Sequence, residues 1–378
     1  MSFDFSFQRV AAVLRKEFLQ LTRDRLTYAM MLVMPIVQLL LFGYAINSDP
    51  RNLPTAVLVQ DQGTYARSVL AALENSDYFR IVETARTTGE LDQAIERGRV
   101  LFAVTIPPDF TRRVVRGDQA QILIEADASD PTATGGAVAA AAGLPAEALR
   151  HDLKGATAFR AGGPAPFEVV VQRRYNPEII TAFNIVPGLL GVILSMTLVM
   201  MTALGVTREQ ERGTMEALLA TPVEPLEVMI GKLAPYVLIG LTQTVVFLTL
   251  ARALFDVPMA GGWAALGLGV LLFIVGSLAL GFLISTVART QLQAMQMSVF
   301  YILPSILLSG FMFPFYGMPK WAQALGTVIP VTHFLRVVRG ALLKGLGLAE
   351  LWPSLTALVV FVVVVSALAM ARYRTTLD

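Results

Sequence analysis

Six long stretches of this chain contain no Asp, Glu, Lys or Arg, and each is about as long as a bilayer crossing. They are residues 26–46, 179–206, 233–251, 263–288, 296–315 and 351–371. A helix needs about 20 apolar residues to cross the hydrocarbon core, and a helix satisfies all its backbone polar groups there. With 55% hydrophobic and 15% charged residues, the chain is also far more apolar than a soluble domain. We therefore predict an α-helical polytopic membrane protein with six transmembrane helices.

Residues 1–25 are predicted to form an amphipathic basic helix at the membrane surface. Their apolar side chains recur at helical spacing, at Phe7, Val10, Leu14, Phe18 and Leu21. Such helices bind the anionic inner surface of a membrane. A cleavable signal peptide is the alternative, but residues 26–46 are longer than the usual signal core and end without a small-x-small cleavage site. We expect this first span to be retained.

Residues 47–177, between the first two spans, have the pattern of a folded soluble domain. Charges become frequent and apolar runs shorten to strand length. Strands are predicted at 55–59, 100–106, 121–126 and 167–172, and helices at 65–73, 91–96 and 109–115. This alternation predicts an inserted α/β domain. It holds 14 Lys and Arg against 16 Asp and Glu, so the basic excess of the chain lies beside the spans.

Two segments of the insert are predicted to pack loosely. Residues 129–143 are rich in Ala, Gly, Thr and Pro, which predicts a flexible arm, and residues 162–164, Gly-Gly-Pro, predict a break. His151 stands alone and is expected at the surface. The sequence contains no cysteine and no cluster with metal-ligand or acid–base spacing, so we predict neither a catalytic residue nor a metal site.

The distribution of basic residues predicts the orientation of the spans. Most Lys and Arg near span ends lie on the face that carries both termini, which the positive-inside rule makes cytoplasmic. The loop 207–222 and the tail 372–378 are then cytoplasmic, and the insert is outside. Exceptions are Lys320, Arg336, Arg339 and Lys344. They belong to residues 317–347, which we interpret as short helices of a re-entrant segment within the region 178–371.

The loop 207–222 is polar and has a helical pattern. Thr207 and Gln210 have the spacing of a capping box, Gly213 and Thr214 offer a bend and a second cap, and Pro222 can end the helix. Met215 and Leu218 fall on one face, while the acidic side chains stay polar: Glu209, Glu211 and Glu216. The pattern predicts a short helix lying flat under the membrane. A solvated turn is the alternative.

The literal residues of this loop resemble a known family. Residues 211–218, Glu-Arg-Gly-Thr-Met-Glu-Ala-Leu, followed by Pro222, are similar to the cytoplasmic segment between the second and third spans of ABC-2 exporter permeases. The length, the basic helix, the large insert and the motif Asn176–Glu178 leading into 183–187 match as well. The resemblance implies that the loop includes a coupling helix that docks on a separate ATPase subunit.

The energy source predicted from the residues agrees with that resemblance. A charge at the bilayer centre costs roughly 2.5–3.5 kcal/mol and is kept only for use, and the predicted spans have none there. The chain also lacks a phosphate-binding G-x-x-x-x-G-K-[ST] loop. The chain itself is then expected to bind no cofactor, with ATP and Mg held by the partner ATPase. The residues predicted to couple to it are Glu209, Glu211, Arg212, Gly213, Thr214, Met215, Glu216, Leu218 and Pro222.

The resemblance implies that spans two and five of two copies line the substrate path. The predicted lining residues are Phe183, Asn184, Pro187, Met196, Gln291, Met295 and Gln296. Uncharged, Met-rich walls suit a hydrophobic or amphipathic substrate. Simple helix packing is the alternative role for these side chains.

The resemblance implies that the chain is the permease subunit of an ATP-driven exporter for drugs or other toxic amphiphiles. Its expected partners are two ABC ATPase subunits, a second copy or a paralogous permease, the lipid bilayer and, at the insert, a periplasmic adaptor; no nucleic acid is expected. The expected location is the inner membrane of a bacterium. The alternatives are an ion-coupled secondary transporter and a non-transporting receptor or scaffold that displays the outer domain.

Overall fold

A computed structural model of the protein describes residues 50–150, 152–153, 165–211 and 225–372. Several predictions lie outside these residues: the basic helix 1–25, the first span 26–46, His151, the break at 162–164 and the tail from 373 onward. The same holds for most of the predicted coupling segment, namely Arg212, Gly213, Thr214, Met215, Glu216, Leu218 and Pro222.

Residues 53–174 fold as a five-stranded sheet with helices on both faces, so the predicted α/β region is confirmed. In chain order the elements are β1 (Leu53–Val59), α1 (Thr64–Asn75), β2 (Phe79–Thr84), α2 (Thr88–Glu96), β3 (Phe102–Ile106), α3 (Phe110–Arg116), β4 (Ala120–Asp127), α4 (Pro131–Glu147) and β5 (Phe167–Arg174). The strand order is β2-β1-β3-β4-β5. Only the β3–β4 pair is antiparallel. The insertion of this region between two spans stays a prediction.

The core of the sheet region lies on its two faces. One face packs against α1, α3 and α4 through side chains such as Val104, Ile122 and Phe110. The other packs against α2 through Leu58, Leu91 and Ile95. Alternate residues of a strand point to opposite faces, so β1 and β3 contribute to both clusters. Burying one large apolar side chain is worth about 1.5–3 kcal/mol, and these contacts hold the helices on the sheet.

The segment predicted as a flexible arm is a helix, so that prediction was wrong. α4 begins with Pro131, which fits the first turn of a helix. Ala133, Ala137 and Ala141 recur every four residues and are buried. Their small side chains pack close to the sheet, and alanine is the best helix former, so packing compensates for the helix-weakening glycines in the same segment.

Strand β2 was not predicted. It lies at the edge of the sheet, where only Phe79 is buried and the side chains that follow alternate between partial burial and exposure. Phe79 contacts Phe102 of β3 edge to face, with ring centroids 5.0 Å apart. Such a strand lacks the continuous apolar run that marks a buried one.

Five helices among the described residues are long and apolar enough to cross a membrane. They are α5 (Thr181–Glu211), α6 (Pro225–Phe255), α7 (Trp263–Val287), α8 (Gln291–Leu308) and α11 (Leu348–Arg372). They correspond to the second to sixth predicted spans. α8 ends seven residues before the predicted boundary at Phe315. Gly310 there adopts a left-handed backbone with φ of +82°, which stops the helix.

α7 is the central helix of this bundle. In its most apolar stretch 61% of residues are buried, against 17% in α6 and 22% in α11, so α7 has the most contacts with other helices of the three. Gly281 of α7 lies against α5, because a Cβ atom there would stand 2.6 Å from the carbonyl oxygen of Val199. Small residues at a contact let two membrane helices approach closely.

Residues 315–344 form a short 3-10 helix (Phe315–Gly317) and two short helices, α9 (Lys320–Val328) and α10 (Pro330–Lys344). The prediction of short helices here is confirmed, whereas their depth in the bilayer stays a prediction. α10 is about 22 Å long at 1.5 Å per residue, too short to cross the hydrocarbon core. Phe334 of α10 stacks on Phe273 of α7 with a centroid distance of 4.1 Å.

Candidate functional site

The predicted coupling segment begins inside α5. Thr207 is buried in the interior of this helix, which continues to Glu211. The predicted capping box at Thr207 and Gln210 is therefore wrong. Residues 189–211 contain two glycines, Gly191 and Gly205, and no proline. The helix extends beyond Val206, where the span was predicted to end.

The end of α5 is joined to the start of α8 by hydrogen bonds around one carboxylate. Glu211 Oε1 accepts from the backbone N–H of Gln291 at 2.7 Å, and Glu211 Oε2 accepts from the side-chain amide of Gln291 at 2.6 Å. Arg208 Nε donates to Gln291 Oε1 at 3.3 Å. We call this group the Glu211–Gln291 clasp.

The carboxylate of Glu211 lies at the N-terminus of α8, where a negative charge is favoured. Gln291 is the first residue of α8, and the hydroxyl of Thr290 accepts from the backbone N–H of Gln293 at 3.2 Å. The carboxylate of Glu211 satisfies another N–H of this first turn. A negative charge is stabilised there by the helix dipole and the unpaired N–H groups. The end of α5, within the predicted coupling segment, is thus fixed to α8.

The predicted path residues on α5 divide between two faces. Asn184 and Pro187 are buried against other helices of the same chain, and Asn184 Oδ1 has no hydrogen-bond partner within the described part of the chain. Phe183 is partly buried against the same core. Met196 is 44% exposed. It lies about 120° around the helix from Asn184, at 100° per residue, and the structure does not bring the two side chains together.

The predicted path residues on α8 also have different surroundings. Met295 is exposed, whereas the side-chain oxygen of Gln296 is buried without a hydrogen-bond partner. Gln291 belongs to the clasp. The two helices contact each other through an apolar cluster that includes Val199 and Ala294. Exposed apolar side chains on these helices are Ile185, Ile193, Met196 and Met201 on α5 and Leu292, Met295 and Leu303 on α8.

Sequence reasoning missed the junction between the sheet and the helix bundle. Lys344, at the end of α10, forms a buried salt bridge with Asp127 of β4. Lys344 Nζ also lies 4.9 Å from the ring centroid of Tyr175. Arg339 forms a second salt bridge with Asp130 at 3.4 Å. The sequence did contain a signal for this junction. Arg339 and Lys344 are exceptions to the positive-inside rule, and both pair with acidic residues of the insert.

The phenol of Tyr175 stays protonated at this junction. Burial raises its pKa to about 12, and the negative charges of Asp127 and Glu96 act in the same direction. A neutral phenol ring attracts the ammonium group of Lys344 through its electron-rich face. The junction therefore combines one buried ion pair with a cation–π contact.

The comparisons with known proteins agree with this architecture. Residues 25–371 match the family model described as "ABC-2 family transporter protein". "Probable multidrug ABC transporter permease YbhR" of Escherichia coli (strain K12) is 28% identical over 371 residues, 97% of this chain and 99% of that protein. YbhS, a permease of the same description in that organism, is 31% identical over 348 residues and covers 90% of each chain. "Inner membrane transport permease YhhJ", also from that strain, is 28% identical over 332 residues and covers 86% of each chain.

A polytopic membrane protein with an α/β region and a family match across nearly its whole length is a transport subunit rather than an enzyme. The chain belongs to the ABC-2 family of transporter proteins. The family resemblance predicted from residues 211–218 is confirmed.

Proposed function

We propose that this chain is the permease subunit of an ATP-driven exporter that moves hydrophobic or amphipathic compounds out of the cell. The observation that carries the proposal is the family match over residues 25–371, together with relatives whose names describe multidrug permeases. Two ATPase subunits, each holding ATP and Mg, are the proposed source of energy. The permease itself supplies the path.

The Glu211–Gln291 clasp supports a mechanism in which movement of the ATPase is transmitted to α5 and α8, the helices of the proposed path. Seven of the nine coupling residues proposed to dock on the ATPase follow Glu211 in the chain, and Glu209 and Glu211 lie at the end of α5 itself. A displacement of that segment pulls on α5 covalently and on α8 through the clasp. Converting a transporter from mostly inward-facing to mostly outward-facing takes about 5.5 kcal/mol of differential binding. A stiff helix end that is hydrogen-bonded to its neighbour can transmit such a bias.

The proposed path lies between two copies, or between this chain and a paralogue, along α5 and α8. The exposed methionines on these helices, Met196 and Met295, support this assignment because flexible thioether side chains adapt to varied apolar ligands. Asn184 and Pro187 are buried within one chain, and Gln296 is partly buried with its side-chain oxygen inside. Their proposed contribution is to shape the helices behind the path.

The proposed orientation places both termini and the coupling segment in the cytoplasm of a bacterium with an inner membrane. The relatives in Escherichia coli include one named as an inner membrane permease. The sheet region then faces the periplasm, where it is the proposed docking surface for an adaptor protein.

Export by the reconstituted complex tests this function. Proteoliposomes that contain the permease and its cognate ATPase should expel a hydrophobic dye when ATP is supplied and fail with a non-hydrolysable analogue. Glu211→Lys with Glu216→Lys should abolish co-purification of the ATPase. Asp256→Lys is the matched control, because Asp256 is exposed at the other end of α6. Dye export driven by a proton gradient without ATP would instead establish an ion-coupled carrier.

A further inference from the structure

A cavity of about 260 Å³ lies where the sheet region meets α10 and the beginning of α11. One face of α10 lines it through Leu335, Arg336, Arg339 and Lys344. The path predicted along α5 and α8 does not include these residues. The cavity is therefore a second place at which the protein can hold a small molecule.

The arginine at the centre of this wall is incompletely satisfied. Among the residues that the structure describes, Arg339 makes one salt bridge, from Nη1 to Asp130 Oδ2 at 3.4 Å. Its Nε and Nη2 atoms are buried and have no hydrogen-bond partner among those residues. A guanidinium group stays charged at every relevant pH and presents a planar fork of donors that matches a carboxylate or phosphate. An anion that accepts from these donors would satisfy them, and buried polar groups usually have such partners.

A second guanidinium lines the same wall. Arg336 lies over the ring of Phe315 at 5.1 Å. Stacking on an aromatic face leaves the in-plane N–H groups of arginine able to donate. Arg336 and Arg339 are three residues apart on α10, so they lie on neighbouring positions of one helical face.

Four carboxylates that line the cavity compete for these cations. Asp127 pairs with Lys344, and Glu350 accepts from the backbone N–H of Gly347 at 3.0 Å. Asp130 occupies one nitrogen of Arg339. Glu96 lines the cavity beside Arg97, at the end of α2. None of these carboxylates satisfies Arg339 Nε or Nη2.

The surroundings of the cavity match the depth of lipid headgroups. All three tryptophans are exposed, at the start of α7, α9 and α11: Trp263, Trp321 and Trp352. Tryptophan collects at the membrane–water interface. Trp352 is adjacent in sequence to Pro353, which lines the cavity beside Leu351. A molecule held here can place a charged head on the arginines and a tail against apolar residues.

We propose that this cavity binds the anionic headgroup of an amphiphile, with Arg339 as its principal ligand and Arg336 as the second. The shared chemistry is a phosphate or carboxylate oxygen that accepts two hydrogen bonds from the guanidinium of Arg339. A bilayer lipid and a free amphiphile can both supply such a group.

Binding of dodecyl phosphate to the purified full chain in dodecyl maltoside, measured by calorimetry, tests the proposal without transport or the ATPase. We expect saturable binding of dodecyl phosphate, at least about tenfold weaker binding of zwitterionic dodecylphosphocholine, and much weaker binding of inorganic phosphate. Loss of a charge-assisted hydrogen bond corresponds to a factor of about ten or more in affinity. Equal affinity for the first two probes, or equal affinity for inorganic phosphate and dodecyl phosphate, would overturn it.

Two variants with opposite expected effects separate binding from folding. Arg339→Gln should weaken dodecyl phosphate binding at least about tenfold. Asp130→Asn should strengthen it, because it removes the competing charge while the amide oxygen can still accept from Thr132. If Arg339 serves only to hold Asp130, both variants lower thermal stability and neither shifts affinity in these directions. Should Arg339→Gln fail to fold, the increase in Asp130→Asn decides alone.

A control and a lipid measurement complete the test. Arg252→Gln removes an exposed arginine at the end of α6 and should leave affinity unchanged. Native mass spectrometry of protein taken from membranes of phosphatidylglycerol and phosphatidylcholine distinguishes the sources. Retained phosphatidylglycerol that is lost in Arg339→Gln identifies a bilayer lipid as the ligand. Dodecyl phosphate binding without retained lipid identifies a free amphiphile.

Discussion

Lys344 of α10 and Asp127 of β4 form a salt bridge in which both side chains are more than nine-tenths buried, with 7% and 5% of their surfaces exposed. The bridge joins the last residue of a short helix in the bundle to the last residue of a strand in the sheet. A buried ion pair contributes little net stability compared with an apolar pair, but a buried charge without its partner is costly. This contact fixes the sheet region on α10.

Replacing one partner of this bridge should destabilise the protein strongly. Lys344→Met leaves Asp127 as a buried, uncompensated charge, and the expected loss is about 3–5 kcal/mol of unfolding free energy. The double variant Lys344→Met with Asp127→Leu should recover most of that loss. Thermal unfolding of the purified chain in detergent measures both. A double variant as unstable as Lys344→Met would show that the bridge is not the cause.

Breaking the Glu211–Gln291 clasp should uncouple ATP hydrolysis from export. Gln291→Ala removes the side-chain bond to Glu211 but keeps the backbone N–H that caps against it. We expect the ATPase to remain bound and export to fall severalfold at an unchanged rate of ATP hydrolysis. The measurements are dye efflux and phosphate release from the same proteoliposomes. Equal losses in both rates would assign Gln291 to ATPase docking instead.

A double-mutant cycle isolates the clasp from other effects. Glu211→Ala and Gln291→Ala should each reduce export, and the double variant should be no worse than Glu211→Ala alone, because residues in direct contact are non-additive. Met295→Ala, one turn further along α8 and exposed, serves as the control and should combine additively with Glu211→Ala.

The helices of the bundle could be predicted from composition, whereas the contacts between them could not. Charge-free runs predict the approximate positions of the five long helices that the structure describes, because bilayer thickness sets a minimum length. The boundary of α8 depends on Gly310 and its left-handed backbone, which hydrophobicity does not report. Helix α4 was missed for the opposite reason. Glycines and small residues suggested a loop, but the alanines of the segment favour a helix and packing against the sheet stabilises it.

The junction illustrates what sequence reasoning lacks. Lys344 and Asp127 are 217 residues apart, so no spacing rule links them. Their charges were visible separately, as basic exceptions on the outer side and as an acidic excess in the insert. Only the folded structure shows that Lys344 and Asp127 form a pair. The same holds for the division of Asn184 and Met196 between two faces of α5, since a long apolar helix has no polar face to indicate which side is buried.

The stability of the sheet region should depend on pH through Asp61. Burial raises the pKa of this carboxyl, but hydrogen bonds from Thr111 and from the backbone of Gly63 outweigh burial and lower it. A lowered pKa contributes stability that is present above the unfolded value of about 3.9 and is lost as pH falls through the folded value. Asp61→Asn should cost about 1–3 kcal/mol at neutral pH.

Hydrogen exchange of the full chain locates that effect. Peptides covering β1 and α3 should exchange faster in Asp61→Asn at pH 7, because Asp61 joins the end of β1 to Thr111 of α3. The difference between the variant and the natural chain should shrink as pH falls below 4. An effect that persists unchanged at low pH would exclude the carboxylate charge as its origin.

The contact of α5 with α7 makes Gly281 intolerant of even one methyl group. A Cβ atom at this position would lie 2.6 Å from the backbone oxygen of Val199 and 2.8 Å from Cβ of Thr202. Neither neighbour is the flexible end of a long side chain, so the two helices must separate. Gly281→Ala should therefore destabilise the bundle by about 1–3 kcal/mol, the usual cost of overpacking.

Gly267→Ala provides the matched control on the same helix, because nothing lies within 4 Å of the added Cβ atom there. It should be neutral or slightly stabilising, since alanine is favoured over glycine in a helix by about 1 kcal/mol. Thermal unfolding of the two variants in detergent separates a steric effect from a general effect of alanine. Equal stability of the variants would mean that α5 and α7 are not in close contact in the protein. The bundle, in which α7 is the central helix, would then have to pack differently.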